Sequence, residues 1–229
     1  MDFDNDGLLD LVAGDTEGHV WFFKNVGTKT APKLAAGVKV QADGKEITGS
    51  APTTGSALST LVTSAISDPI GGVYSKLHLT DWDGDGKLDL LVGHTKSSRE
   101  EIVFYKNIGT AADPKFAASV KLDNPDLVGV SRPSPYVVDW DGDGKRDMLV
   151  GTDDGRVLFL RNVGNNATSV FAKPEPLKLT GLDKCIRTRI CAVDWKNRGK
   201  LDLLVGTYYY DAGPDKKGTG GNVWLFLRK

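Results

Sequence analysis

The chain has 229 residues, 40% of them hydrophobic and 26% charged, with 27 glycines and a formal net charge of -1. There is enough apolar material for a packed core, which excludes a disordered chain, and no bulk charge to attract nucleic acid. No stretch reaches the roughly 20 apolar residues of a membrane-spanning helix, so direct membrane insertion is not expected.

The first element is an acidic loop, Asp2-Phe3-Asp4-Asn5-Asp6-Gly7-Leu8-Leu9-Asp10. Its pattern, D-x-D-x-D-G-x-x-D, returns at 81–89 and 139–147, and a variant with two basic residues stands at 194–202. Each copy runs into a short apolar stretch stopped by glycine, such as Leu90-Leu91-Val92-Gly93 or Met148-Leu149-Val150-Gly151. Length and β-branched content predict buried strands there. After a polar turn comes an aromatic-rich strand, as in Val20-Trp21-Phe22-Phe23 and Val223-Trp224-Leu225-Phe226, and in three units an Asn-x-Gly turn and a downstream segment. Upstream of the later loops lies one more strand, Leu77-His78-Leu79-Thr80, Tyr136-Val137-Val138 or Ile190-Cys191-Ala192-Val193. These elements predict an all-β chain of four-stranded antiparallel meanders, repeated as the blades of a β-propeller.

The expected blades are 1–40, 73–124, 132–180 and 186–229, within one propeller region spanning 1–229. Residues 41–72 read as an insertion loop of small polar residues, more apolar over 58–66. The first unit starts inside its loop and lacks a leading strand, and the last lacks a closing one. Two half-blades would expose strand edges, so the chain is expected to be a fragment completed by further sequence or by self-association.

Four carboxylates in nine residues repel one another unless a cation gathers them. Positions 1, 3 and 5 are Asp2, Asp4 and Asp6; Leu8 offers a carbonyl at position 7, and Asp10 closes the set. The equivalents are Asp81, Asp83, Asp85, Lys87 and Asp89, then Asp139, Asp141, Asp143, Lys145 and Asp147. A flexible, all-oxygen shell suits Ca2+, whereas zinc and copper would want the His or Cys that these loops lack. An EF-hand would place a bidentate Glu at position 12, where Ala13, Val92 and Val150 stand. In the fourth loop Asp194 and Asp202 face Lys196 and Arg198, which predicts a salt-bridged mimic of the metal site. Three Ca2+ sites are therefore expected.

The acid loop, the L-D-L-L-V-G strand and the N-x-G turn together resemble FG-GAP or VCBS repeats, the blades of integrin-alpha-like propellers and of many bacterial secreted proteins. The resemblance covers nearly the whole chain. It implies a calcium-binding propeller, usually of about six to eight blades, and an extracellular, cell-surface or periplasmic setting. It does not imply one function, since such blades serve adhesion, sugar binding and, as scaffolds, some lyases and phospholipases.

Strand parity puts Lys76, His78, Arg132, Tyr136, Arg187 and Arg189 on one face of the innermost strands. A basic surface there suits an acidic polysaccharide or a carboxylate-bearing protein ligand, unless these cations pair with acids on neighbouring blades. Tyr208 and Tyr209, with Tyr210, are expected on a turn and are candidates for stacking on a sugar ring. Phe3, Trp82, Trp140 and Trp195 recur in step with the loops and are expected to pack between blades. No G-x-S-x-G or H-E-x-x-H is present, and His19, His78 and His94 are the only histidines. Three readings stand: a non-enzymatic binding or adhesion module, the scaffold of a polysaccharide lyase using Arg132, Tyr136, His78 and Lys76, or a structural spacer. Cys185 and Cys191, about 20 Å apart if they share one strand, are too distant for a disulfide. Asn166-Ala167-Thr168 is a glycosylation sequon.

Overall fold

The alternating runs on either side of each acid loop fold as antiparallel strands. The computed structural model describes residues 1–48, 75–96, 99–122, 124–127, 130–182, 185–211 and 218–228. In chain order, β1 (Leu11–Gly14), β2 (Val20–Phe23) and β3 (Val38–Lys39) pair as a first sheet. β4 (Gln41–Ala42) and β5 (Lys45–Glu46) make a small hairpin. The second sheet is β6 (Ser75–Thr80), β7 (Asp89–Lys96), β8 (Arg99–Tyr105) and β9 (Val120–Lys121). The third is β10 (Ser134–Val138), β11 (Asp147–Gly151), β12 (Val157–Leu160) and β13 (Glu175–Pro176). The fourth is β14 (Ile186–Val193), β15 (Asp202–Asp211) and β16 (Gly218–Phe226).

Within each sheet only consecutive strands pair, always antiparallel, so each sheet is a meander of the propeller-blade kind. Among the described residues the second and third blades have four strands, while the first has three without an inner strand and the fourth three without an outer one. No strand pairing joins the first blade to the fourth among the described residues, and the array is open.

Part of the expected insertion is ordered structure. Asp43 and Gly44 have φ of 49° and 70°, the geometry of a tight type I′ turn, and they close the β4–β5 hairpin. Ala42 and Ile47 are buried beside it, Ala42 bridges Phe116 of the second blade, and the Asp43 amide donates to the Phe116 carbonyl at 2.9 Å. The apolar stretch 58–66 lies outside the described residues. The tyrosines also differ from expectation: Tyr208 and Tyr209 lie in β15, because β15 and β16 stay paired from Leu203 out to Asp211.

A meander one sheet thick cannot bury both faces by itself, so the core lies between blades. Leu90 and Val92 of β7 pack with Phe3 and Val20 of the first blade, while the intervening Leu91 packs with Met148 and Val150 of the third. Leu149 repeats this toward Leu203 and Val205 of the fourth blade. The period of two thus alternates between the preceding and the following neighbour.

Two further series mark each seam. The glycine ending the apolar run receives the backbone of the next blade: a Cβ on Gly14 would lie 2.0 Å from the Ser75 carbonyl oxygen, on Gly93 1.9 Å from that of Pro133, and on Gly151 2.5 Å from that of Thr188. The loop aromatic fills the outer part. Phe3 sits between Phe22 and Phe116, and Trp82 between Phe104 and Phe171, with ring centroids 4.6 to 6.3 Å apart. Trp140 is covered by the Arg228 guanidinium at 4.4 Å. Burying about 200 Å² of an aromatic side chain is worth about 5 kcal/mol before entropy is counted, so these residues carry much of each seam.

Candidate functional site

All four nine-residue loops share one backbone frame. Position 1 folds the loop on itself: Asp81 Oδ1 accepts the Gly84 amide at 2.8 Å, and its Oδ2 accepts that of Gly86 at 3.2 Å. Asp139 repeats this with Gly142 and Gly144, while Asp2 and Asp194 accept the amides of positions 5 and 6, Asp6 and Gly7 or Arg198 and Gly199. Position 9 pins the loop to the sheet. Asp89 accepts the Trp82 amide at 3.0 Å and the Asn107 amide at 2.8 Å, and Asp10 and Asp147 repeat the pair. Position 6 is left-handed glycine throughout, and position 4 is left-handed too, as Asn5, Gly84, Gly142 and Asn197. The restriction of position 4 to Asn or Gly is the sequence signal for this left-handed turn.

In each of the first three loops the frame gathers three of the four expected carboxylates and leaves out Asp10, Asp89 and Asp143. Carboxylate oxygens of Asp2, Asp4 and Asp6 lie within 4.8 Å of one another, as do those of Asp81, Asp83 and Asp85, and those of Asp139, Asp141 and Asp147. Leu8, Lys87 and Lys145 hold position 7, and Lys87 and Lys145 place their ammonium groups 3.1 and 3.7 Å from Asp85 and Asp143. Position 9 is buried in every loop, and burial pushes the Asp89 and Asp147 carboxyls up. Asp4 Oδ1 is buried with no hydrogen-bond partner. This set of hard oxygen donors, with an orphaned carboxylate oxygen at position 3, fits a hard divalent cation.

Sequence reasoning missed a second ingredient at the end of the aromatic strand. Lys24 contacts Asp4 and lies 2.8 Å from Asp6; Lys106 contacts Asp83 and lies 3.5 Å from Asp85; Arg161 lies 3.0 Å from Asp141. The hydrogen bond from Lys24 holds the Asp6 carboxyl below its ordinary range. The signal was the dipeptide Lys-Asn or Arg-Asn before each N-x-G turn.

The fourth loop keeps the frame and loses the cage. Arg198 bonds Asp202 at 2.6 Å, in the manner expected of a mimic, while Asp202 also accepts the Arg228 amide at 2.9 Å. Lys196 is exposed, and Lys200 at position 7 completes the basic loop. Leu227 takes the place of Lys24, so where the loop sheds its acids the strand end sheds its cation.

On the inner strands the candidates divide into two groups. His78 Nε2–H donates to the Val137 carbonyl at 3.2 Å, its ring lies 4.2 Å from that of Tyr136, and burial pulls its pKa down to about 4. Tyr136 donates to the Ala192 carbonyl at 3.1 Å, and burial pushes it up to about 12. Both side chains therefore stitch one blade to the next. Lys76 is buried in β6. The second group is Arg132, Arg187 and Arg189. Arg132 and Arg187 precede the residues that rest on Gly93 and Gly151, both have positive φ, 48° and 58°, and both lie within 3.6 Å of Asp153. Arg189 is pulled below its ordinary pKa by burial and by repulsion from Arg132 and Arg187, against the attraction of Asp153. Tyr208 lies under Arg187 at 5.3 Å, and Arg187, Arg189, Tyr208 and Asn222 line an open cleft of about 360 Å³. Tyr209 is partly exposed on the same strand. Cys185 and Cys191 are free thiols.

A further group lies where no candidate was expected. Asp15, Glu17 and His19 gather on the β1–β2 turn, with His19 3.0 Å from Asp15. Burial opposes it, but hydrogen bonds from Trp21, His19 and Glu17 hold Asp15 down at about 2, so this carboxylate is already saturated by its own turn.

A family model described as an FG-GAP-like repeat matches the chain three times, over residues 2–92, 81–150 and 139–205. No curated protein matches it. Among solved structures it is similar to a mutant form of the Photorhabdus luminescens Tc holotoxin pore, at 18% identity and a TM-score of 0.38. That alignment covers 93% of this chain and 8% of the other, a likeness too slight to carry fold or function.

Proposed function

The chain belongs to the FG-GAP-like repeat family, and from that premise we propose that it is a calcium-stabilised, non-enzymatic binding or adhesion module of an exported protein. Its ligand is an acidic polysaccharide or an anionic protein surface, held on the basic inner strands. Calcium would be held by the carboxylates of the first three loops, with the carbonyls of Leu8, Lys87 and Lys145. When bound, the ion supplies charge neutralisation that ties each loop to its blade. The residues of the frame do the rest: positions 1, 4, 6 and 9 hold the loop, and the strand-end cations offset part of its charge.

The observation that carries the binding reading is the convergence of Arg132, Arg187 and Arg189 around Asp153 beside an open cleft. The repulsion felt by Arg189 is what an anion would relieve, and two arginines with positive φ are the strained positions that functional sites retain. His78 and Tyr136 are committed to carbonyls of the next blade, which argues against their serving as a lyase base. The test is retention on immobilised polygalacturonate, with neutral dextran as control. The wild type is expected to bind only the acidic polymer and the R132S/R187S/R189S variant neither; unchanged binding by the variant overturns the reading. Unsaturated product absorbing in the ultraviolet would restore the lyase.

A further inference from the structure

The seams repeat three times within the chain, and each repeat shows what the fourth blade leaves uncovered. The loop aromatics Phe3, Trp82 and Trp140 are at most 9% exposed because the next blade lies over them. Trp195, at the same loop position, is 55% exposed. Leu225, at the β16 position matching Phe104 of β8, is exposed as well. Across the second seam the residue that meets the tryptophan is Phe171, and across the first Phe116 meets Phe3. These two phenylalanines bridge Asn162 and Asn107, and in the first blade the same bridge joins Asn25 to Leu34. Leu34 is 44% exposed. Leu11, which matches the fully buried Leu90, Met148 and Leu203 that face the preceding blade, is also exposed.

We propose that the chain self-associates through these two faces, the fourth blade of one copy docking on the first blade of a second. Trp195 and Leu225 would meet Leu34 and Leu11, repeating the outer layer of an internal seam. The occupant is a second copy because this one sequence carries both halves of the contact, and their counterparts already pair inside it. Two copies arranged head to tail close upon themselves, giving two identical seams related by a two-fold axis. Open apolar faces at both ends are what such closure removes.

The test is the mass in solution of the full chain in calcium, at micromolar concentration, by light scattering. The wild type is expected at twice its chain mass of 24.6 kDa. Trp195→Lys alone and Leu34→Asp alone are each expected to be monomeric, with circular dichroism unchanged because both residues lie on the surface of the single chain, and with a lower melting temperature that no longer depends on concentration because the stabilisation by association is lost. Mixing the two variants is expected to restore a dimer, since one seam then pairs Lys with Asp and the other is native. A monomeric wild type, a dimer indifferent to both substitutions, an open series of larger species, or no recovery on mixing would each overturn the proposal.

Discussion

The second and fourth blades begin from nearly the same nine residues and differ in what surrounds them. In the second, Asp83 and Asp85 project into a cage shared with Lys106, Trp82 is buried, and Gly93 is pressed against Pro133. In the fourth, Lys196 and Arg198 replace those acids, Leu227 replaces the cation, Trp195 is exposed, and the nearest atoms to a Cβ on Gly206 are those of Arg189 at 3.8 Å. Yet both loops keep the same turns and the same buried position 9. Folding the loop and charging it are therefore separate jobs, assigned to positions 1, 4, 6 and 9 on the one hand and to 3 and 5 on the other.

The sharpest way to break this comparison is at the glycines. Gly93→Ala drives a methyl group into a carbonyl oxygen and is expected to cost upward of about 3 kcal/mol, whereas Gly206→Ala should stay within about 0.5 kcal/mol. Denaturant midpoints of the two variants measure the difference, and equal losses would mean that a neighbouring backbone presses on Gly206 as Pro133 does on Gly93. Next in size is position 9. Asp89→Ala strands two buried amides and should cost about 2–4 kcal/mol, while Asp202→Ala strands the single amide of Arg228 and should cost about half as much, by the same denaturation.

Charge can then be moved between the blades. Asp83→Asn with Asp85→Asn is expected to lower the calcium count by one, and Lys196→Asp with Arg198→Asp to raise it by one, read by calorimetric titration of chelator-stripped protein. Melting should rise with calcium in the wild type and less in the first variant. An unchanged melt in chelator would count against the metal assignment. The smallest effect concerns pH. Because burial lowers the pKa of His78 from 6.5 to about 4, the unfolded chain takes up that proton first. The contribution is complete above pH 6.5 and is lost as pH falls toward about 4, by about 1 kcal/mol per pH unit. The H78Q variant should show a shallower fall over that window; the fourth blade has Cys191 at this position and adds no such slope.

Much of this was legible in the sequence. The acid loops, the strand order and the packing of Phe3, Trp82 and Trp140 follow from spacing alone, because a repeat supplies three readings of each position. What was not legible depends on contacts between segments distant in sequence, between blades or across one blade. The role of Gly93 is set by a Pro133 carbonyl forty residues away, and that of Lys106 by a loop on the adjoining strand. The hairpin at 41–46 was missed although Asp43-Gly44 is a strong turn signal, because its flanking strands are only two residues long. The glycine after the apolar run predicts a stop and so a turn at Tyr208 and Tyr209; Gly206 instead continues β15.

That small hairpin also has a mechanical consequence. It grips Phe116 through the Ala42 bridge and the Asp43 amide, so the first two blades are lashed by main-chain bonds as well as by side chains. The third seam is tied in the same way, by the Arg187 and Thr188 amides on the Asp153 and Thr152 carbonyls, so an array pulled from its two ends should yield first between the second and third blades.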